Sequence, residues 1–163
     1  MLRFMILGIL LTTAWADLDD LGKKCKRLGH PSSMLCCKSE MPKPNLDPEE
    51  MKECMEIPHV PHSCEHEICI GKKRGYITSD DGTIDMEVLE KVLEEDFKNY
   101  PTLVAALQIN CIKGGFEKFG PPDTCQLIKI KRCFHYQLIQ DCTEWDDSGS
   151  CAGIKDVVKE CVL

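Results

Sequence analysis

Five side chains able to ligate a metal crowd into the segment HVPHSCEHEIC: His59, His62, Cys64, His66 and Cys69. Imidazole nitrogens and thiolates at such spacings are the donors of structural zinc. Zinc needs its sulfurs as thiolates, whereas an exported chain with an even cysteine count oxidises them to disulfides. In the competing reading, Cys64 and Cys69, close to one helical turn apart, staple two different neighbours. The histidines then lie at the surface, where an ordinary pKa of roughly 6.5 adds pH sensitivity. No metal or cofactor is expected.

The segment SDDGTID places three acids around a glycine, as in the first half of a calcium loop. With Gly82 at the sixth position, the first ligand is Ile77 and the twelfth Val88, and neither carries an oxygen side chain. Asp80 to Asp85 reads instead as a polar turn followed by a helix N-cap. The adjacent pair Cys36-Cys37 resembles that of secreted phospholipase A2, an enzyme that needs a calcium loop and a His-Asp pair. Here CCKSEM has no histidine after the pair, and no glycine-rich calcium loop precedes it. There is no Gly-x-Ser-x-Gly elbow, no His-Glu-x-x-His and no phosphate-binding glycine loop. His135 beside Tyr136 reads as a pair of polar residues within a helix. The chain is therefore not expected to be an enzyme.

Residues 1–16, MLRFMILGILLTTAWA, combine Arg3, an apolar run from Phe4 to Leu11, and small residues at Ala14 and Ala16. That is the pattern of a secretory signal peptide, too short to span a bilayer stably, so the mature chain is expected to begin at Asp17. No membrane insertion is expected. Without Arg3, 19 basic residues face 27 acidic ones, and the formal charge moves from −7 to −8. The bases are interleaved with acids, as in KKCKR after DLDD, so no footprint for nucleic acid or anionic membranes appears. Residues 17–163, about 147 of them, suit one domain with a core of its own. All 12 cysteines follow the leader: Cys25, Cys36, Cys37, Cys54, Cys64, Cys69, Cys111, Cys125, Cys133, Cys142, Cys151 and Cys161. Six disulfides are expected, each contributing ~2–4 kcal/mol, which lets the chain tolerate an under-filled core.

The elements that must position these residues all read as helices. DLDDLGKKCKRLGH carries acids in its first turn and bases in its last, and Gly29 and Pro31 stop it. Pro42 and Pro44 impose an extended connection. Asp47-Pro48-Glu49-Glu50 supplies an N-cap, a proline at the first helical position and a capping-box glutamate for a short helix through Cys54. Ser63 caps a turn holding Cys64 and Cys69 and ending near Gly71, and Gly75 to Gly82 is a connection. Asp85 opens DMEVLEKVLEEDFKNY, in which Val88, Leu89, Val92, Leu93 and Phe97 recur at three- and four-residue steps. Pro101 starts PTLVAALQINCIKG, apolar round more of its circumference and expected to be buried on more than one side, with Gly114 and Gly115 ending it. A helix from about Thr124 to Cys142 carries Leu127, Ile128, Phe134, Leu138 and Ile139. After the loop TEWDDSGS, a last helix from about Cys151 to Val162 aligns Ile154, Val157 and Val158. No segment alternates with period two, so the expected fold is all-α: a compact, disulfide-stapled bundle of about six to eight short helices.

The cysteine spacing from Cys64 onward is the family signal. Cys64 and Cys69 enclose four residues, Cys69 and Cys111 forty-one, and Cys133 and Cys142 eight. This resembles the core ladder of insect odorant-binding proteins, and the extra cysteines Cys25, Cys36, Cys37, Cys125, Cys151 and Cys161 make it most similar to the cysteine-rich Plus-C subgroup. One departure is Thr143-Glu144-Trp145 after Cys142, where that subgroup places a proline directly after its sixth core cysteine. The resemblance implies an interlocked pairing in which Cys64 joins Cys133, Cys111 joins Cys142, and Cys69 joins Cys36 or Cys37. It also implies a helical bundle around an apolar cavity and a role in carrying odorants or pheromones. The implied partners are a small apolar organic ligand and a membrane chemoreceptor, with the protein a monomer or homodimer.

The candidate lining is Val88, Leu89, Val92, Leu103, Val104, Leu107, Ile112, Phe116, Phe119, Leu127, Phe134 and Leu138, each of which is equally a plain core position. Burying some ten methylenes at ~0.8 kcal/mol each gives about 8 kcal/mol of gross driving force. Association entropy and ligand ordering subtract several kcal/mol, leaving roughly micromolar affinity. The alternative is a secreted, disulfide-rich effector or inhibitor that binds a protein and has no small-molecule pocket.

Overall fold

The computed structural model describes residues 24–25, 28–58, 60 and 63–161. The expected leader, the expected start at Asp17, the acidic first turn of the expected first helix, and His59 and His62 lie outside the described residues. Lys24, Cys25 and Leu28 are helical, and the chain turns at Gly29 as expected. Pro31 does not merely stop that helix. It occupies the first position of α1 (Pro31–Met34), where its missing N–H is harmless, and His30 Nδ1 accepts the Ser32 N–H at 3.3 Å.

An extended strap follows, and Asp47 then caps α2 (Pro48–Met55) by accepting the Glu49 N–H at 2.9 Å. Helix α3 (Glu65–Lys73) begins beside Ser63, whose hydroxyl accepts the Glu65 N–H at 3.3 Å. It runs two residues past the expected end. Gly71 is needed for packing inside the helix, because a Cβ there would lie 2.6 Å from Ile77 Cδ1. The chain reverses instead at Gly75, φ 81°. A single antiparallel bridge between Ile77 and Ile84 closes the polar turn, where Asp81 accepts the Thr83 N–H and hydroxyl at 2.9 and 2.7 Å.

Helix α4 (Met86–Asp96) starts at Asp85, whose carboxylate accepts the Glu87 and Val88 N–H groups at 3.1 Å each. Helix α5 (Pro101–Leu107) continues as a π-helical segment over Gln108–Lys113. Contrary to expectation this element buries one face only: Leu103, Leu107 and Cys111 are buried while Ile109 is 63% exposed. Residues four apart drift about 40° per step on a 3.6-residue helix. The wider i→i+5 turns rotate the opposite way over four residues and bring Cys111 back towards the line of Leu103.

A 3-10 turn, Phe116–Phe119, leads to the central helix α6 (Gln126–Gln140). It is two residues shorter at each end than expected, since Cys125 is extended (ψ 136°) and Asp141 leaves helical geometry. The expected loop after Cys142 contains an antiparallel bridge to the strap, with Lys38 N–H donating to Glu144 O at 2.7 Å and Asp146 N–H to Cys36 O at 2.8 Å. The last element divides: Gly149–Cys151 is a 3-10 turn, and α7 (Ile154–Glu160) starts only after Gly153, at φ 76°. The protein is thus all-α, with seven α-helices and no strand longer than a bridge among the described residues.

Two apolar clusters flank α6. One joins Leu89, Leu93 and Phe97 of the α4 region to Leu103, Leu107, Ile130 and Leu138. The other joins Leu28, Tyr136 and Ile139 to Ile154 and Val158 of α7. Because α6 is covered on both sides, even Lys129 and Gln137 are buried on it.

All twelve cysteines pair: Cys25–Cys161, Cys36–Cys151, Cys37–Cys142, Cys54–Cys69, Cys64–Cys125 and Cys111–Cys133. Cys64 and Cys69 do staple two different neighbours. The interlocked pairing implied by the family resemblance is overturned, because Cys64 joins Cys125 rather than Cys133, Cys111 joins Cys133 rather than Cys142, and Cys69 joins Cys54 rather than Cys36 or Cys37. Distance along α6 is the reason. Cys64 lies 5.8 Å from Cys125, just before α6, whereas Cys133, about two turns further along, lies 5.7 Å from Cys111. Cys69, in the middle of α3, faces α2 instead, with its Cα 5.5 Å from that of Cys54. Peptide mapping of the non-reduced protein is expected to recover Cys64–Cys125 and Cys111–Cys133 fragments, and a Cys64–Cys133 fragment would contradict this topology.

Candidate functional site

Helices α3, α4, α5 and α6 do not close fully on one another. Between them lies a cavity of about 320 Å³, roofed by the strap residues Pro42, Lys43, Pro44 and Leu46 and by Met34 of α1. The wall follows from helical periodicity. From α6 come Leu127, Ile130, Lys131, Phe134 and Leu138, spaced three or four apart along one face, together with His135. From α4 come Leu89, Val92, Leu93 and Asp96 at the same steps, followed by Phe97, and from α3 Glu67, Ile70 and Arg74. Leu107 closes the floor from α5.

Of the twelve side chains expected to line a cavity, the structure brings six together on this one: Leu89, Val92, Leu107, Leu127, Phe134 and Leu138. Leu103 and Phe116 are buried in the adjoining core, and Val104, Ile112 and Phe119 pack against it. Val88 is half-buried on the flank of α4, away from the cavity. Apolar periodicity missed the polar part of the wall. Glu67, Ile70 and Arg74 recur three and four residues apart, a spacing that was a usable signal for this face of α3.

That polar part is built from ion pairs. Arg74, just past the end of α3, donates from Nη2 to Asp96 Oδ1 at 2.6 Å, and the two side chains are only 15% and 7% exposed. Its Nη1 donates to Asn45 O in the strap at 2.8 Å. Lys131 Nζ donates to Glu67 Oε1 at 2.9 Å. Burial alone pushes the Glu67 carboxyl up, but the hydrogen bond and charge of Lys131 outweigh it and hold the group below its ordinary value. Burial pushes the Tyr76 phenol up to about 12, with the charges of Arg74, Glu67 and Asp96 acting on the same hydroxyl. Burial likewise pushes His135 down to about 4, helped by Lys131 and His30 and opposed by a bond to Gly29.

The histidine-rich motif is not part of this wall. His66 is 6% exposed, a correction to its expected surface position, because α3 packs against both α2 and α6 and leaves little of its circumference to solvent. Both sulfurs of the motif are consumed in disulfides to separate partners. No group of three or more metal-ligating side chains forms among the described residues.

The fold and site define an all-α, six-disulfide protein enclosing an apolar cavity with a paired ionic rim. No protein-family model, curated protein or solved structure matches this chain.

Arg74 carries the one tertiary hydrogen bond of the strap between residues 40 and 46 among the described residues. Arg74→Met is expected to destabilise the protein by about 3–5 kcal/mol in denaturant unfolding, by stranding the buried Asp96 carboxylate. Amide exchange at Lys43, Asn45 and Leu46 should accelerate in the same variant. His135 binds a proton in the unfolded chain near pH 6.5 but in the folded one only near 4, so the unfolded state gains protons first on acidification. Stability should therefore fall between pH 6.5 and 4, and His135→Gln should flatten that part of the curve.

Proposed function

We propose that this chain is a secreted carrier of small apolar molecules, working as insect odorant-binding proteins do. The observation that carries the reading is the apolar cavity of about 320 Å³ beneath the strap, within the size range of small-molecule sites. Six disulfides mark an oxidising compartment, and no helix among the described residues is long and apolar enough to cross a membrane.

Carriage here is desolvation without chemistry. At roughly 25 Å³ per non-hydrogen atom, the space a benzene-sized cavity allots, the void suits a ligand of about 13 such atoms. Burying its methylenes supplies the driving force, and residues 40–46 of the strap, with two prolines and a single tertiary hydrogen bond, are the wall whose displacement costs least. The ligand it carries is of the odorant or pheromone type, with a membrane chemoreceptor as the receiving partner.

Titration of the oxidised protein with a naphthylamine fluorophore, followed by displacement with medium-chain alcohols and esters, tests the reading. Saturable displaceable binding at roughly micromolar affinity is expected. Val92→Trp, which pushes an indole into the cavity, should weaken binding tenfold or more. Val88→Trp, one turn earlier on the same helix but off the cavity, should leave it unchanged. No binding to fully oxidised protein, or equal behaviour of the two variants, would overturn the proposal.

A further inference from the structure

Every side-chain charge held within the wall of the cavity already has its counter-ion. Arg74 is bonded to Asp96 and Lys131 to Glu67, one cation to one anion in each case. The remaining cation of the lining, Lys43, is solvent-exposed on the strap. A ligand bearing a buried charge would either lie uncompensated in an apolar void or break one of these pairs, and both cost several kcal/mol.

Tyr76 differs from its polar neighbours. It lines the same cavity, its ring lies over Gly71, and its hydroxyl stands in the field of Arg74, Glu67 and Asp96. Its carbonyl accepts the Asp85 N–H at 2.8 Å, but its hydroxyl makes no hydrogen bond to another described residue. A phenol held neutral by burial both donates and accepts one bond, so it complements a single neutral oxygen. His135, also on the wall, is neutral at physiological pH for the same reason and offers no fixed charge to a ligand. The aliphatic wall of Leu89, Val92, Leu107 and Leu138 then takes the hydrocarbon remainder.

We propose that the cavity selects neutral, medium-chain amphiphiles with one terminal oxygen, such as an alcohol, ketone or ester, and that Tyr76 is the residue that recognises that oxygen. This rests on the carrier reading above and assigns the class of its ligand. An alkane of equal length fills the cavity but leaves Tyr76 unbonded, and a carboxylate brings a charge that the paired rim does not accept.

Calorimetric titration of the oxidised protein at pH 7.5 with decan-1-ol, undecane and decanoate tests this, in the wild type and in Tyr76→Phe. Decan-1-ol is expected to bind about five- to tenfold more tightly than undecane, the equivalent of one hydrogen bond, and more tightly than decanoate. Tyr76→Phe should bring decan-1-ol to the level of undecane while leaving undecane itself unchanged, a difference that a merely structural tyrosine would not produce. Binding of all three with equal affinity, tighter binding of decanoate through Lys43, or an unchanged alcohol preference in Tyr76→Phe would overturn the assignment and leave the carrier reading standing. No binding of any of the three would overturn both.

Discussion

The central helix α6 is fastened along its length by covalent bonds, and the rest of the molecule is arranged around that constraint. Cys125 at its start is tied to α3, Cys133 at its middle to the π-helical continuation of α5, and Cys142 just beyond its end to the strap. A helix held at three levels positions three separate elements against its faces without relying on close packing between them. The π-helical continuation of α5 carries Cys111, whose Cα lies 5.7 Å from that of Cys133.

Covalent fastening also explains why a void persists. An apolar cavity of about 320 Å³ forfeits dispersion contacts that a filled core would make. A domain held by packing alone would collapse onto such a space. Bridges contributing ~2–4 kcal/mol each, acting through the unfolded chain, offset that cost without filling the volume. The strap is stabilised the same way. It is anchored near one end by Cys37–Cys142 and leads at the other into α2, itself anchored by Cys54–Cys69, so its middle crosses the cavity with almost no backbone bonds.

The ionic rim works by a different principle. Arg74 serves two masters at once, a carboxylate on α4 and a carbonyl in the strap, and so couples the cover of the cavity to its wall. Pairing within the rim leaves the interior close to neutral even though the chain as a whole is strongly acidic.

Local physics is what the sequence determined. The Asp47-Pro48 and Asp85 starts, the strap imposed by Pro42 and Pro44, and the apolar stripe of α4 all follow from propensities and caps within a few residues, and the structure reproduces them. The all-α class and the oxidised cysteines were legible for the same reason. Where only distant contacts decide, the sequence was silent or misleading. Gly71 ends nothing, because its role is to admit Tyr76 and Ile77 against α3. His66 is covered by helices that no local pattern places beside it. Which cysteine meets which, and which six of twelve apolar side chains share a cavity, depend on separations of a few ångströms between segments dozens of residues apart, and spacing along the chain does not encode those distances.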